Sequence, residues 1–376
     1  MSTLSDKDLR ILFISRAYPP VFGGIENQNY GIAHALKDIT PTTILANTKG
    51  KKFLPFFLPY ALCKMLFLLP RHDAVLFGDG VLSPLGRIAH IFYPHKKFIS
   101  IVHGLDITYA QKNSLLGKVY RTVNIPALRH MDKLIAVGTH TITEAVRFEI
   151  DRDRCTFIPN GIDPQEYFFT HTREELAQLL HTDLTDKKVI LRMGRFVPHK
   201  GVAWFLDQVM PFLPRDIIFV AMGGAVSNTT AGDDNVLPLA QKMVEKHNLH
   251  DRVFLLPNRP DAEKIILFNT VDLVISPNID IPGSMEGFGI NAVETATCER
   301  VVIASNFQGL KDAVHDGKNG FLIEHENAQM WIKKIIEVLS DDFDRESFGK
   351  NARLYTIEHF SWEKIAQKYL DVLKNL

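Results

Sequence analysis

Three observations predict an α/β protein built from two doubly wound, parallel-sheet domains. At 376 residues the chain is too long for one core of typical size. Short apolar runs alternate with amphipathic stretches almost throughout, as expected for parallel strands covered by helices on both faces. The runs also fall into two series, divided by a stretch at 165–186 that has no strand pattern.

The first series of strands is expected at 9–15, 42–47, 73–78, 97–103, 133–138 and 155–159. The second is expected at 187–194, 216–223, 252–257, 272–277 and 300–305. Helical spacing of apolar residues marks 25–37, 113–130, 200–212, 236–247 and 261–269 between them. The turn formers "NGIDP" precede the strandless stretch, which reads as the linker. The chain finishes in "FSWEKIAQKYLDVLKNL", an amphipathic helix with Ser361 at the N-cap and Glu363 in the first turn. These boundaries give domains at 1–168 and 185–358, then a terminal segment at 359–376. Two doubly wound sheets in one chain leave a cleft at the carboxyl ends of their strands, where ligands bind.

Composition is that of a soluble globular protein, 46% hydrophobic and 23% charged. Three scattered cysteines, Cys63, Cys155 and Cys298, argue against a disulfide framework or a zinc site. The start "MSTLSDKDLRILFIS" lacks the form of a signal peptide, so a reducing, cytoplasmic location is expected. Net charge is zero, yet residues 1–165 hold 20 Lys and Arg against 13 Asp and Glu, and the remainder 23 against 30. The basic half suits anionic surfaces such as acidic lipids or phosphorylated acceptors, while nucleic acid is not among the partners expected. Residues 53–69 are the most apolar stretch, interrupted by Lys64 and two prolines and flanked by Lys51, Lys52 and Arg71. The span 51–71 reads either as an interfacial helix on an anionic membrane or as a core helix; a spanning helix fits less well.

The chemistry gathers at strand ends. Gly23 and Gly24 follow the first strand and open a helix, so backbone can approach an anion there, although the dinucleotide fingerprint GxGxxG is absent. His103 emerges where the strand 97–102 ends, with Asp106 just beyond it. "MGRFVPHKG" places Gly194, Arg195 and Lys200 after the first strand of the second domain, and a guanidinium beside an ammonium suits a diphosphate. In "GSMEGFGINAVETA" a turn at Gly287–Gly289 opens a helix near Ile290, with Glu286 before it and Glu294 one turn inside. Glu294 is placed for the paired hydroxyls of a ribose and Glu286 for those of a sugar, each bond to a charged group contributing roughly 1.5–3 kcal/mol. A phosphate between two hydroxyl-binding carboxylates outlines a nucleotide sugar. Paired carboxylates also serve glycoside hydrolysis, but that chemistry leaves the phosphate-binding features unexplained.

"EGFGINAVE" resembles the E-x7-E motif of the retaining glycosyltransferases of family four, which have the GT-B fold of two Rossmann-like domains facing across a cleft. The Gly-Gly loop, "HG", "IPNGID", "GRFVPHKG" and the "FSW" helix fall in the family's order, so the resemblance covers nearly the whole chain. It implies an N-terminal acceptor domain, a C-terminal donor domain, and a last helix that returns toward the first. It implies that Gly23 and Gly24 approach the donor diphosphate and the acceptor, that Gly194 belongs to the donor-binding residues, and that His103 contacts the transferred sugar. Arg195 and Lys200 would neutralise the leaving diphosphate. Glu286 would hold sugar hydroxyls, Phe288, Gly289 and Ile290 would supply backbone contacts, and Glu294 would bind the ribose. The base is expected near Asn258 and Arg259, and Asn160 is a further candidate of the cleft. The implied reaction is retaining hexosyl transfer from UDP or GDP sugars to a glycan, glycolipid or lipid-linked acceptor, as in lipopolysaccharide assembly, with no metal or other cofactor. "DRD" at 151–153 precedes a strand and reads as a solvated turn. Rival expectations are a sugar-nucleotide epimerase or a phosphorylase on the same fold, and a non-catalytic nucleotide-sugar binding module.

Overall fold

The computed structural model describes residues 9–21, 23–225 and 235–376. Two compact units divide the chain. The first runs up to Asp163 and also takes in Phe360–Leu376; the second is Pro164–His359.

The first unit is a six-stranded sheet of β1 (Ile11–Ser15), β2 (Thr42–Ala46), β3 (Ala74–Phe77), β4 (Lys97–Val102), β5 (Lys133–Ala136) and β6 (Cys155–Phe157). The strands lie in the order β2-β1-β3-β4-β5-β6 and every neighbouring pair is parallel. β1 and β3 are buried along their whole length, which is why they read as unbroken apolar runs rather than alternating ones. Helices α1 (Gly24–Ile39), α2 (Leu54–Leu68) and α3 (Ser83–Phe92) connect the first four strands. The expected helix at 113–130 is a composite: Leu115–Val119 and Ile125–Leu128 are α-helical, and Tyr120–Asn124 between them is π-helical.

The helix Trp362–Lys374 closes this unit. It buries Ile365, Ala366, Tyr369, Leu370 and Leu373, one face at helical spacing, and packs on α1. Trp362 sits where Gly31 and Gly161 leave room, since a Cβ on either glycine would lie within 2.3 Å of the indole. Ser361 occupies the N-cap position, but its hydroxyl makes no capping bond. Backbone pairing anchors the helix start instead, with Ile162 N donating to Phe360 O (2.8 Å) and Trp362 N to Ile162 O (3.2 Å).

The second unit repeats the plan with β7 (Lys188–Met193), β8 (Ile217–Gly223), β9 (Val253–Pro257), β10 (Leu273–Ser276), β11 (Val302–Ser305) and β12 (Phe321–Ile323). Their order is β12-β11-β10-β7-β8-β9, again all parallel. Successive residues of β7 feed opposite faces: Ile190 joins a core with Phe219, Leu273 and Trp331, while Val189 and Leu191 join another with Val220, Val274 and Val302. β12 was not expected, because three residues paired only with β11 are too few to leave a pattern.

Residues 165–186 are not a bare linker. Thr172 and Glu175 form a capping box that starts the helix Arg173–Leu180, and Leu176 and Leu180 enter the second core. The helix was hidden in the sequence because only its two core-facing leucines are fully buried.

Candidate active site

Each sheet reverses its strand order once, between β1 and β3 in the first unit and between β7 and β10 in the second. Loops leaving the carboxyl ends of two such neighbours diverge, and ligands bind in the space between them. Both switch points carry buried charge.

In the second unit β7 ends with Arg192 and Met193, and Gly194 turns the chain out of the sheet at φ 130°. Arg192 is buried inside a strand, yet it keeps its guanidinium bonded: one nitrogen donates to Gly194 O and the other to Arg195 O at 2.9 Å. It therefore holds the backbone of the loop that displays Arg195. Burial pulls its pKa down to about 9, against the attraction of Glu286 and with help from the Arg195 charge.

A short turn, Pro198–Lys200, leads to Gly201 at φ 71°. A Cβ at Gly201 would lie 1.7 Å from Pro277 O, so only glycine lets the loop after β7 meet the loop after β10. Gly201→Ala is expected to cost about 3 kcal/mol, from left-handed strain and from overpacking together. Urea unfolding measures this cost, and an unchanged midpoint would contradict the contact.

Glu286 lies in the loop after β10 and is almost completely buried. Lys200 Nζ pairs with its carboxylate, and Asn278 Nδ2 donates to the same oxygen at 2.9 Å. Its own backbone N–H donates to Gln308 Oε1 at 2.7 Å. Burial alone would raise the carboxyl pKa. The Lys200 and His199 charges and the bonds from Lys200 and Asn278 overcome it, leaving the group near 2 and ionised. Burial pulls Lys200 downward despite Glu286, and the nearby Arg192 and Arg195 add to that pull.

The helix Ile290–Thr297 begins four residues beyond Glu286, with Gly289 at its N-cap at φ 91°. A Cβ on Gly289 would lie 2.5 Å from Leu310 Cδ2. Asn291 Nδ2 bonds Met193 O at 3.2 Å and ties the helix to the end of β7. Phe288 is buried beside this start. Glu294, one turn along, pairs with Lys264 at 3.1 Å, and the Lys264 ammonium lies 4.0 Å from the Tyr167 ring centroid. Arg259 stands apart, pairing at the surface with Glu263 at 2.7 Å. Asn258 accepts the Ala225 N–H at 2.9 Å and joins the loops after β8 and β9.

In the first unit α1 starts at Gly24 with Gly23 at its N-cap. Among the described residues, nothing lies within 4 Å of a Cβ built at Gly24, and the nearest atoms to one at Gly23 belong to the Glu26 side chain. The protein's own packing therefore leaves open space at Gly24. His103 Nε2 is 3.0 Å from Gly78 O, and its backbone N–H donates to Asp106 at 3.1 Å. Asp106 also accepts the N–H groups of Gly80 (3.0 Å) and Gly104 (2.9 Å), so one buried carboxylate ties the loop after β3 to the loop after β4. Burial pushes the Asp106 carboxyl up, against the pull of His103. Arg16 and Asp79 pair at 2.9 Å at the same switch point. Asn160 lies near His103 and Trp362, around a narrow internal space.

The structure thus brings Arg195, Lys200 and Glu286 together and sets Glu294 close by in the same unit. His103, Gly23 and Gly24 belong to the other unit. Arg192, Asn278 and Lys264 were missed. Arg192 left one signal in the sequence, a guanidinium inside the otherwise apolar run "VILRM".

Two parallel six-stranded Rossmann-like units in one chain define the GT-B class of glycosyltransferases. By sequence, residues 12–166 match the family model Glycosyltransferase Family 4, and residues 181–355 match Glycosyl transferases group 1. The chain is 27% identical over 308 residues to an uncharacterised glycosyltransferase of Methanocaldococcus jannaschii, covering 81% of this chain and 75% of that protein. It is 29% identical over 245 residues to the D-inositol 3-phosphate glycosyltransferase of Corynebacterium glutamicum, covering 61% of this chain and about half (54%) of that one. Among solved structures, Anabaena HepE in complex with UDP superposes with a TM-score of 0.75 at 21% identity, covering 98% of this chain and 100% of that one. HepE has also been solved with UDP-glucose.

Proposed function

We propose that the protein is a retaining hexosyltransferase that moves a sugar from a nucleoside diphosphate donor to a hydroxyl of a glycan, glycolipid or lipid-linked acceptor. The carrying observation is the buried charge at the β7/β10 switch point, where, among the described residues, two cations, Arg192 and Lys200, lie beside one carboxylate, Glu286, and Arg195 stands exposed on the same loop. Positive charge in excess, taken out of water, is costly unless an anion joins it. A diphosphate supplies that anion. HepE, a structural neighbour solved with UDP and with UDP-glucose, supports this donor class and favours a UDP-sugar over a GDP-sugar.

In this reaction the bond between the sugar anomeric carbon and the diphosphate oxygen breaks, and its electron pair stays on that oxygen. The acceptor hydroxyl attacks from the same face, and its proton passes to the departing phosphate oxygen. Arg195 and Lys200 neutralise the charge as it develops, the preorganised electrostatic contribution that is usually the largest. Glu286, ionised throughout the physiological range, accepts hydrogen bonds from the donor sugar's hydroxyls. Side-chain cations supply the neutralisation, so no metal is required. The cysteines Cys63, Cys155 and Cys298 are all free, in keeping with a reducing, cytoplasmic compartment.

Glu294 holds the ribose in this scheme. Glu294→Ala is expected to weaken nucleotide binding about 10- to 100-fold, the loss of one to two bonds to a charged acceptor. Calorimetric titration with UDP measures it, and an unaltered Kd would remove Glu294 from the donor site. Transfer itself is tested by release of UDP from a UDP-hexose in the presence of acceptor. The anomeric configuration of the product, read by NMR, must match that of the donor.

A further inference from the structure

The first unit carries an apolar face that its own core does not use. α2, with the single turns Lys51–Phe53 and Leu69–Arg71 at its ends, is apolar and long enough to cross a membrane by length and composition, yet only 22% of it is buried. Phe57, Ala61 and Met65, spaced i, i+4, i+8, dock it on the sheet. The opposite side holds Phe56, Tyr60 and Phe67, each more than half exposed. α3 extends the surface with exposed Ile88, Ile91 and Phe92. The Tyr93 hydroxyl, at the end of α3, donates to Leu66 O of α2 at 3.2 Å and joins the two helices. Soluble monomers rarely expose this much contiguous apolar surface without a use for it.

The charge around this face has one sign. Residues 49–105 contain eight Lys and Arg, two Asp and no Glu. Both aspartates are committed, Asp73 to Arg10 and Asp79 to Arg16, each at 2.9 Å. Among the described residues, Lys51, Lys52, Lys64, Arg71 and Arg87 pair with no carboxylate. Lys64 and Arg71 lie 5.7 and 6.0 Å from the Phe67 ring centroid, so cations border the apolar patch directly.

We infer that α2 and α3 dock the protein on an anionic bilayer, with Phe56, Tyr60, Phe67, Ile91 and Phe92 in the headgroup zone and the lysines and arginines on lipid phosphates. Aromatic and aliphatic side chains ringed by cations are what such an interface takes. Protein interfaces, in contrast, are depleted in lysine. Crossing the bilayer is disfavoured, because Phe57, Ala61 and Met65 would have to leave the core to which they belong. The inference stands on the first unit alone and does not depend on the donor chemistry.

Sedimentation of the full chain with vesicles tests it. Binding is expected to phosphatidylcholine vesicles that contain phosphatidylglycerol, to weaken as salt rises, and to be far lower with phosphatidylcholine alone. Lys51→Gln and Lys52→Gln should each lower the partition coefficient about five-fold, the equivalent of ~1 kcal/mol per charge. Phe56→Ser with Phe67→Ser should abolish binding, while thermal melting stays at the wild-type midpoint because both side chains are solvent-facing. Three results would overturn the inference: a chain that stays in the supernatant with anionic vesicles, variants that bind like wild type, or lipid-free self-association that the phenylalanine variant abolishes. Resistance to extraction by alkaline carbonate would also overturn it, in favour of a spanning helix.

Discussion

Lys200→Ala is expected to lower kcat by about 10²–10³-fold while KM stays near the wild-type value. The ammonium is buried against Glu286 and flanked by Arg192 and Arg195, so its position is set before substrate arrives. A charge fixed in that way costs no reorganisation when, in the proposed transfer, the diphosphate oxygen gains its electron pair. Its benefit is therefore greatest at the transition state, and its loss should fall equally on kcat and kcat/KM. A raised KM with unchanged kcat would show that Lys200 binds ground state and transition state alike. Lys200→Arg separates charge from shape. It restores part of the rate if charge near the leaving oxygen is what matters, and none if the compact ammonium is required to fit beside Glu286.

The second large effect is on stability. Glu286→Leu should cost about 3–5 kcal/mol, because it leaves Lys200 and Arg192 buried side by side without the carboxylate that offsets them. Lys200→Met with Glu286→Leu should recover most of that loss, since the double variant removes both charges, and a double-mutant cycle by urea unfolding isolates the coupling. The pH dependence has a definite sign. The folded carboxyl is held near 2, below the ordinary range of an unfolded glutamate. Its contribution is complete above about pH 4.5 and is lost as pH falls toward 2. Wild type should lose this component across that window, and the double variant should lack it. A double variant as unstable as Glu286→Leu alone would show that the pair does not account for the cost.

Much of this protein was legible in its residues, and the gaps have physical causes. Buried parallel strands bury both faces, so β1, β7 and β8 announce themselves as apolar runs. The three residues of β12 and the short capped helix Arg173–Leu180 have too few buried positions to do so. Lys200 and Glu286 were each foreseen at the mouth of a donor site, and the structure adds that they pair directly across 86 residues. That pairing depends on Gly201 passing against Pro277, a contact between two loops that no local pattern encodes. Arg192 lies on the borderline. Its position inside a strand was visible, but its role in holding the Gly194 and Arg195 carbonyls comes only from three-dimensional proximity. Lys264, which meets Glu294 from a neighbouring helix, is in the same position.

In the proposed function the charged group in the second unit takes the diphosphate of a nucleotide sugar. A thermal-shift series with UDP-, GDP- and ADP-sugars, run on wild type and on Lys200→Ala with Glu294→Ala, tests it most directly. One nucleotide class at about 100 times its Kd should add ~2.7 kcal/mol to wild type and raise its melting midpoint by about 5–10 °C. The double variant should gain only ~0.4–1.4 kcal/mol from the same concentration of that compound, and so a clearly smaller shift, because its Kd is 10- to 100-fold weaker. A wild-type midpoint indifferent to all three classes, or a shift in the double variant as large as that of wild type, would contradict the assignment.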